Sequence, residues 1–428
     1  MCGFVFACFK NKNDLDSKKN ILESSSEKYI KSRGPTYQDS FFSQNIFCYQ
    51  SVLSIQNNNQ ILKYNTSYNS SKFILYNGEI YSRKNATSEE EKLSDTEYLN
   101  KLNIEDNLNK EIFNLDGMFA LCSVQVENEI NYKVSFYRDV AGEKHLWYFI
   151  NSDIFILSSV PAVIVDYIKC FSSLEINHTV LEDYLLRRHL ISPKEHVIDG
   201  IKQILPGTYN YFSSNDWIVK EVYRKDILDY FDPKEYKYLS KQSEQYVDEL
   251  TNYEIEKVIK SMTRVCSKDI KQSSILSGGI DSSLVTAFVQ KNYYKEMDIY
   301  TLLVEEKDNV SPHAIEMSNK INTNDDLSHK QINCKPEEYF KALLHSISIL
   351  SSPINTHSIP SSYLVAKKAS EDGNDVLYGG EGADELFLGY GCYLKNDLSD
   401  YNRIVDNFKY LEKLYDSVSS SFINRYLI

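Results

Sequence analysis

Short apolar runs alternate with longer amphipathic stretches through the second half of the chain. Ser274, Ile275 and Leu276 read as a buried strand, and 284–289 (Leu-Val-Thr-Ala-Phe-Val) as the beginning of a helix behind it. Residues 244–265 carry Tyr246, Leu250, Tyr253, Ile255, Val258, Ile259 and Met262 at helical spacing. Residues 299–304 read as the next parallel strand, 313–321 and 336–350 as helices, and 375–378 as a further strand. In the second of those helices Tyr339, Leu343, Leu344, Ile347 and Leu350 are expected on one face. Strands alternating with helices predict a doubly wound parallel α/β sheet. The first half reads differently. Val5 and Phe6 open it as a strand, 75–81 reads as a strand, a turn and a strand, and 94–99 starts a helix with an acidic first turn. The Asn-rich stretch 56–70 predicts a surface loop. Period is lost from Leu205 to about Tyr236, which predicts one domain over 1–215, a linker over 216–235 and a second domain over 236–428.

At 428 residues the chain is long enough for two or three domains, and 42% hydrophobic with 25% charged residues is ordinary for a globular protein. A net charge of −13 argues against non-specific nucleic-acid binding, which needs a basic surface. The 8 cysteines contain no Cys-x-x-Cys pair and are expected as reduced thiols of a cytoplasmic protein. No run approaches transmembrane length, so no membrane partner is expected.

Six stretches carry candidate chemistry. Cys2 becomes the first residue once Met1 is removed, and its α-amine then serves as base for its own thiol. A cysteine beside a start codon that merely packs is the plainer reading. Arg33, beside the Gly34-Pro35 turn, suits bidentate grip of a carboxylate. The Asn77 amide and the Gly78 N–H suit an oxyanion hole, although Asn-Gly between apolar runs is also the commonest hairpin signal. Asp95 suits a ligand ammonium group or a helix cap. The fifth, Ser277-Gly278-Gly279-Ile280-Asp281-Ser282-Ser283, joins a strand end to a helix N-terminus and makes an anion site. Asp281 there calls for a bridging cation such as Mg²⁺. Downstream, Gly379-Gly380-Glu381-Gly382-Ala383-Asp384 sets glycines beside carboxylates at another strand end, a pattern that suits a Mg²⁺–pyrophosphate site.

The heptad resembles the SGGxDS loop of the ATP pyrophosphatase (PP-loop) family. The N-terminal motifs resemble class II glutamine amidotransferases, and within them the asparagine synthetase family. MCG at Met1, RGP at Arg33, NGEIY at Asn77, SDTEY at Ser94, LDGMFA at Leu115, RDVAGEKHLWY at Arg138 and GIKQILPGTY at Gly200 come in that family's order. The block at Gly379 resembles its SGEGADELFGGY element, with glycine for serine at 379 and leucine for glycine at 388. The resemblance implies an N-terminal Ntn-hydrolase αββα sandwich followed by a PP-loop domain. It implies Cys2 as nucleophile on glutamine, with Asn77 and Gly78 holding the oxyanion. Arg33 would bind the glutamine α-carboxylate, with Glu79 and Asp95 near its α-amine. ATP would lie on Leu276, Ser277, Gly278, Gly279, Asp281, Ser282, Val304, Gly379 and Gly380. Asp281 and Asp384 would hold Mg²⁺, and Glu381 would manage protons near the acceptor. LDGMFA and RDVAGEKHLWY are expected to be structural, with His145, where the family commonly has proline, as a packing change.

The implied activity is a ligase reaction in which ammonia released from glutamine crosses an internal tunnel and amidates an adenylated carboxylate. After Tyr393 the motifs fade, and neither an arginine-rich block with a Pro-Phe-Leu-Asp element nor a later catalytic lysine is found. The acceptor is therefore open: aspartate, or a sugar acid, peptide or natural-product intermediate. A homodimer, or a partner chain supplying the absent part, is consistent with this. A protein that binds glutamine and ATP without turnover is the alternative from another class.

Overall fold

Strand β1 (Gly3–Phe9) is buried along its whole length, and its alternation sets the layers around it. Val5, Ala7 and Phe9 face one apolar core, and Phe4, Phe6 and Cys8 face another. The computed structural model describes residues 2–10, 15–43, 45–55, 72–127, 131–187, 192, 194–225, 229, 232–264, 266, 269–293, 295–304, 312–322, 326–354, 356, 358–384 and 389. Two units result, Met1–Asp229 with His345–Asn355, and Tyr230–Leu344 with Thr356–Ile428.

The first unit follows β1 with α1 (Leu15–Tyr29), β2 (Tyr37–Ser43), β3 (Ile46–Val52), β4 (Lys72–Arg83), α2 (Asp95–Ile104) and α3 (Leu108–Glu111). Then come β5 (Leu115–Val126), β6 (Tyr132–Arg138), β7 (Trp147–Ile150), β8 (Ile154–Ser158), α4 (Pro161–Phe171) and α5 (His178–Arg187). Strands β9 (Ile201–Gln203), β10 (Thr208–Ser213) and β11 (Ile218–Arg224) complete it. Among the described residues these form a sheet in the order β2-β3-β1-β8-β7-β9 and a second in the order β11-β10-β6-β5-β4. Leu22 of α1 and Val163 and Ile164 of α4 cover the outer side of the first sheet. Phe4, Phe6, Leu75, Cys122, Phe136 and Phe155 fill the space between the sheets. Tyr98, Leu99 and Leu102 of α2 cover the second sheet with Tyr76, Leu121 and Tyr137. Helix, sheet, sheet, helix is the expected αββα sandwich.

Two expectations are corrected here. Residues 75–81 are not a hairpin, because β4 continues through them beside β5, with Asn77 opposite Ala120, Gly78 opposite Phe119 and a register shift between Ile80 and Ser82. Gly78 lies so close to β5 that a Cβ there would meet the Met118 carbonyl oxygen at 2.1 Å, so the glycine serves close approach rather than a turn. The linker expected over 216–235 begins inside the second sheet, whose edge is β11. Among the described residues that strand pairs on one side only, and it is mostly exposed, so no alternation marked it.

The second unit contains α6 (Pro233–Leu239), α7 (Glu244–Arg264), β12 (Gln272–Ile275), α8 (Ile280–Asn292), β13 (Met297–Val304) and α9 (Pro312–Ile321). Strand β14 (Leu327–Cys334), α10 (Pro336–Leu350), α11 (Ser358–Glu371) and β15 (Val376–Tyr378) follow, α10 ending in the first unit. The sheet order is β14-β13-β12-β15, and every pairing is parallel. Ile255, Ile259, Val289 and Met317 from α7, α8 and α9 pack on one face with Ile299, while Val365 and Ala369 of α11 pack on the other with Tyr300. This is the doubly wound sheet expected. Periodicity overestimated two helix faces: Tyr253 and Val258 of α7 and Leu344 and Ile347 of α10 are exposed. The loop expected over 56–70 and the Glu385–Leu388 part of the glycine-acid block lie outside the described residues.

Candidate functional site

Cys2 enters β1, and its parity with Phe4 and Phe6 turns it toward the space between the sheets. It is 8% exposed, and its Sγ lies 3.7 Å from the Leu53 carbonyl oxygen. Burial, with Glu79 adding to it, pushes the thiol above its ordinary value, against the pull of the Leu53 bond and Lys144. The Arg33 Nε donates to the Cys2 carbonyl oxygen at 3.0 Å. Asn77 shares parity with Leu75 and faces the same interlayer. It is 1% exposed, and among the described residues neither atom of its amide has a partner. A buried amide left unpaired is costly unless a ligand completes it.

Asp95 opens α2 behind Ser94, which caps the helix in a reciprocal box with Glu97. Its carboxylate is buried and already engaged. One oxygen pairs with Arg83 at 2.9 Å, and the other accepts from the Ile80 N–H at 2.7 Å and the Tyr76 hydroxyl at 3.3 Å. Asp95 thus staples the stretch of β4 that carries Asn77, Gly78 and Glu79.

Lys144 was expected only as part of a structural turn, yet it belongs to this cluster. It is buried, and burial together with the Arg33 charge lowers its ammonium below the usual value, while Cys2 and Glu79 act the other way. Asp139 accepts the Lys144 N–H at 3.1 Å and the Glu143 N–H at 2.9 Å. Arg138 donates to the carbonyls of Lys144 at 2.8 Å and Ile204 at 2.6 Å, so the Arg138-Asp139 pair clamps the turn. A charged residue following a rigid Arg-Asp turn is the signal that marks it. His145 packs beside the same clamp, within 3.2 Å of Arg138.

In the second unit the strand order reverses between β12 and β15, with β13 and β14 on one side of β12 and β15 on the other, and α/β folds bind ligands at such a point. Leu276, Ser277, Gly278 and Gly279 connect β12 to α8 there. The Ser277 N–H donates to the Ser282 Oγ at 3.1 Å, and the two hydroxyls lie 2.9 Å apart. Gly278 has φ +84°, and a Cβ would meet the Ala314 nitrogen at 2.6 Å. Among the described residues no side chain caps α8, which leaves its N-terminus open to an anion. Gly379 and Gly380 follow β15 directly. A Cβ on Gly380 would stand 3.0 Å from both the Asp281 Cβ and the Ser282 nitrogen, so the two glycine motifs touch. The Glu381 carboxylate folds back over Gly379, and that of Asp384 lies against Gly389. A cavity lined by Leu276, Ser277, Thr301, Ser361, Ser362 and Glu381 opens beside the loop. Thr301 was not anticipated; its hydroxyl donates to the Leu276 carbonyl at 2.5 Å and tethers the loop to β13. Val304 ends β13 in register with Cys334. Among the described residues no three acidic, histidine or cysteine side chains gather as a metal cage.

Residues 1–224 match the glutamine amidotransferase domain, and residues 255–427 match asparagine synthase. The chain belongs to the asparagine synthetase family. The asparagine synthase match runs to residue 427, past Tyr393 where the individual motifs fade. Similar curated members of this family include the glutamine-hydrolyzing asparagine synthetase 1 of Bacillus subtilis, 26% identical over 96% of this chain and 62% of that protein. The putative asparagine synthetase 2 of Methanocaldococcus jannaschii is 25% identical over 78% of this chain and 62% of its own length. The chain thus spans about three fifths of the length of these relatives. Among solved structures, glutamine phosphoribosylpyrophosphate amidotransferase from B. subtilis aligns over 89% of this chain and 91% of its own, at 11% identity and a TM-score of 0.35. No helix among the described residues is long and apolar enough to cross a membrane.

Proposed function

We propose that this member of the asparagine synthetase family is a glutamine-dependent, AMP-forming amidotransferase acting on a small carboxylate, aspartate or another acid. The observation that carries the reading is the buried, unpartnered Asn77 amide facing the same interlayer as Cys2. After loss of Met1, the Cys2 α-amine takes the thiol proton and the Sγ attacks the glutamine side-chain carbonyl. Asn77 and Gly78 hold the oxyanion, ammonia leaves with the proton, and water hydrolyses the thioester to glutamate. Arg33 holds the α-carboxylate, and Glu79 receives the α-amine. Asp95 acts through β4, since its oxygens are taken.

In the second unit, Ser277, Gly278, Gly279 and Ser282 at the uncapped start of α8 suit the phosphates of ATP, and Gly379 and Gly380 leave room for them. Asp281 and Asp384 are hard oxygen donors suited to Mg²⁺ brought in by the triphosphate, which would complete what two carboxylates cannot supply alone. When bound, that ion neutralises pyrophosphate charge as the acceptor carboxylate displaces it. Ammonia then attacks the acyl-adenylate and expels AMP, and Glu381, whose carboxylate folds over Gly379 in the cavity, would take the proton that ammonia sheds.

The test gives purified full-length chain glutamine, Mg²⁺–ATP and aspartate, and follows glutamate, pyrophosphate and asparagine, with Cys2→Ala beside it. Asparagine in step with pyrophosphate, lost with glutamine but retained with ammonia in the variant, supports the reading with aspartate as acceptor. Pyrophosphate with another carboxylic acid alone supports it with that acceptor. Absence of glutamate release overturns it.

A further inference from the structure

The outer face of the second sheet carries a polar cavity away from Cys2. Where α2 ends, the apolar rows across β4, β5, β6 and β10 give way to polar ones. Lys72, Gln125 and Lys133 stand side by side on three strands, and Ser123, Ser135 and Tyr211 form the next row. These residues line one cavity with Tyr209 and Asn103.

A solvated sheet face explains polar rows, but it does not explain Asn103. That residue comes from the last turn of α2 and is 5% exposed. Its Oδ1 accepts from the Ser123 hydroxyl at 2.6 Å, while its Nδ2 has no partner among the described residues. A buried donor at the wall of a polar cavity is completed by an acceptor entering that cavity. Lys72 and Lys133 bring two ammonium groups to the lining of the cavity, each within an ion pair that an entering anion would share. Lys72 reaches Asp106, and Lys133 reaches Glu127, which holds both ammoniums at the rim.

We infer that this cavity, framed by Asn103, Lys72, Lys133 and Tyr211, is a second binding site for a small hydrophilic anion bearing carboxylate or phosphate oxygens. The anion would accept from the Asn103 amide at the floor and from the two lysines at the rim. The site stands on its own geometry and does not depend on the glutamine or ATP chemistry.

The experiment is calorimetric titration of the full chain with citrate and, separately, with inorganic phosphate. It compares wild type, Asn103→Leu, Lys133→Gln and the remote control Lys257→Gln. Lys133 is 43% exposed along its side chain, so its replacement leaves folding intact where Asn103→Leu fails to fold. Saturable binding of one probe, weakened at least tenfold by Lys133→Gln and unchanged by Lys257→Gln, is expected, and the probe that binds tells carboxylate from phosphate. Absence of saturable binding by either probe overturns the site. So does binding that Lys133→Gln leaves unchanged, since a phosphate held only at Ser277 would behave that way. Glutamate release by Lys133→Gln is expected at the wild-type rate, so the outcome is separable from that of the amidotransferase assay.

Discussion

The Arg33 Nε holds the carbonyl oxygen of Cys2 at 3.0 Å, joining the residue before a turn to the residue that starts the central strand. The bond fixes the backbone of Cys2, and among the described residues the guanidinium makes no other hydrogen bond, which under the proposed function leaves it to a glutamine carboxylate. Lysine offers a point charge without the planar fork. Arg33→Lys is expected to lower kcat/KM for glutamate release by about 10- to 100-fold, the equivalent of one charge-assisted hydrogen bond. Steady-state kinetics with glutamine check it, and an unchanged kcat/KM would remove Arg33 from the site.

Asn77 separates function from stability. Its amide bonds nothing in the described chain, so replacing it with an apolar side chain forfeits no hydrogen bond. Asn77→Leu is expected to leave the melting temperature nearly unchanged and to cut kcat for glutamate release by about 10²–10³. A large drop in stability with normal turnover would show a structural amide instead.

Burial raises the Cys2 thiol above its ordinary value, so the proposed attack on glutamine calls for a base to take its proton. Glutamate release is expected to rise with pH through the range of an α-amine, roughly 7.7–8.0. Iodoacetamide at pH 7 is expected to label the exposed Cys170 before Cys2. Peptide mapping of the alkylated protein reads the order directly.

Lys330 bridges Asp298 and Asp372, each at 3.0 Å, at the end of the parallel sheet opposite the Ser277 loop. Burial works against the Asp298 carboxylate, but Asn374, Lys271 and Lys330 hold it below its ordinary value. Lys368 first, then Lys330 and Tyr300, hold Asp372 well below its own. Depressed folded-state values mean that the unfolded chain binds protons first as pH falls. The stabilisation is therefore full well above the unfolded-chain value near pH 4 and is lost progressively as pH falls from there through the lower folded-state values. Lys330→Met is expected to cost about 2 kcal/mol at pH 7, with the difference shrinking below pH 4. Urea melts at pH 7 and pH 3 measure both.

Gly380 admits no side chain without moving Asp281 or Ser282. Gly380→Ala is expected to lower pyrophosphate formation at least tenfold, on the order of 1.4 kcal/mol or more in the transition state, with glutamate release retained. Loss of both activities together would point to misfolding of the whole chain.

Much of this molecule is legible in its linear pattern. Apolar runs with glycine turns and intervening amphipathic stretches announced the parallel sheet, because both periodicities are local properties of the backbone. The Ser277 and Gly379 motifs could be paired in advance, since both follow strand ends and strands of such a sheet share one C-terminal edge. Arg33 and Asn77 stood out by their chemistry, a guanidinium beside a turn for a carboxylate and an amide beside a glycine N–H for an oxyanion, although Asn-Gly is equally a hairpin signal.

Other features depend on contacts between segments far apart in sequence. Asn77-Gly78 has the local signature of a hairpin, and only the approach of β5 makes it part of one continuous strand. Strand β11 has no period because one edge and most of its side chains face solvent. Asp95 looks available in sequence, and it is the return of β4 that delivers Arg83 to it. Lys144 and Asn103 gain their meaning from what surrounds them, the buried Cys2 cluster in one case and an unpaired amide at a cavity wall in the other. Periodicity records which face of an element is apolar. Burial, charge pairing and unsatisfied donors are set by neighbours that the chain brings together only on folding.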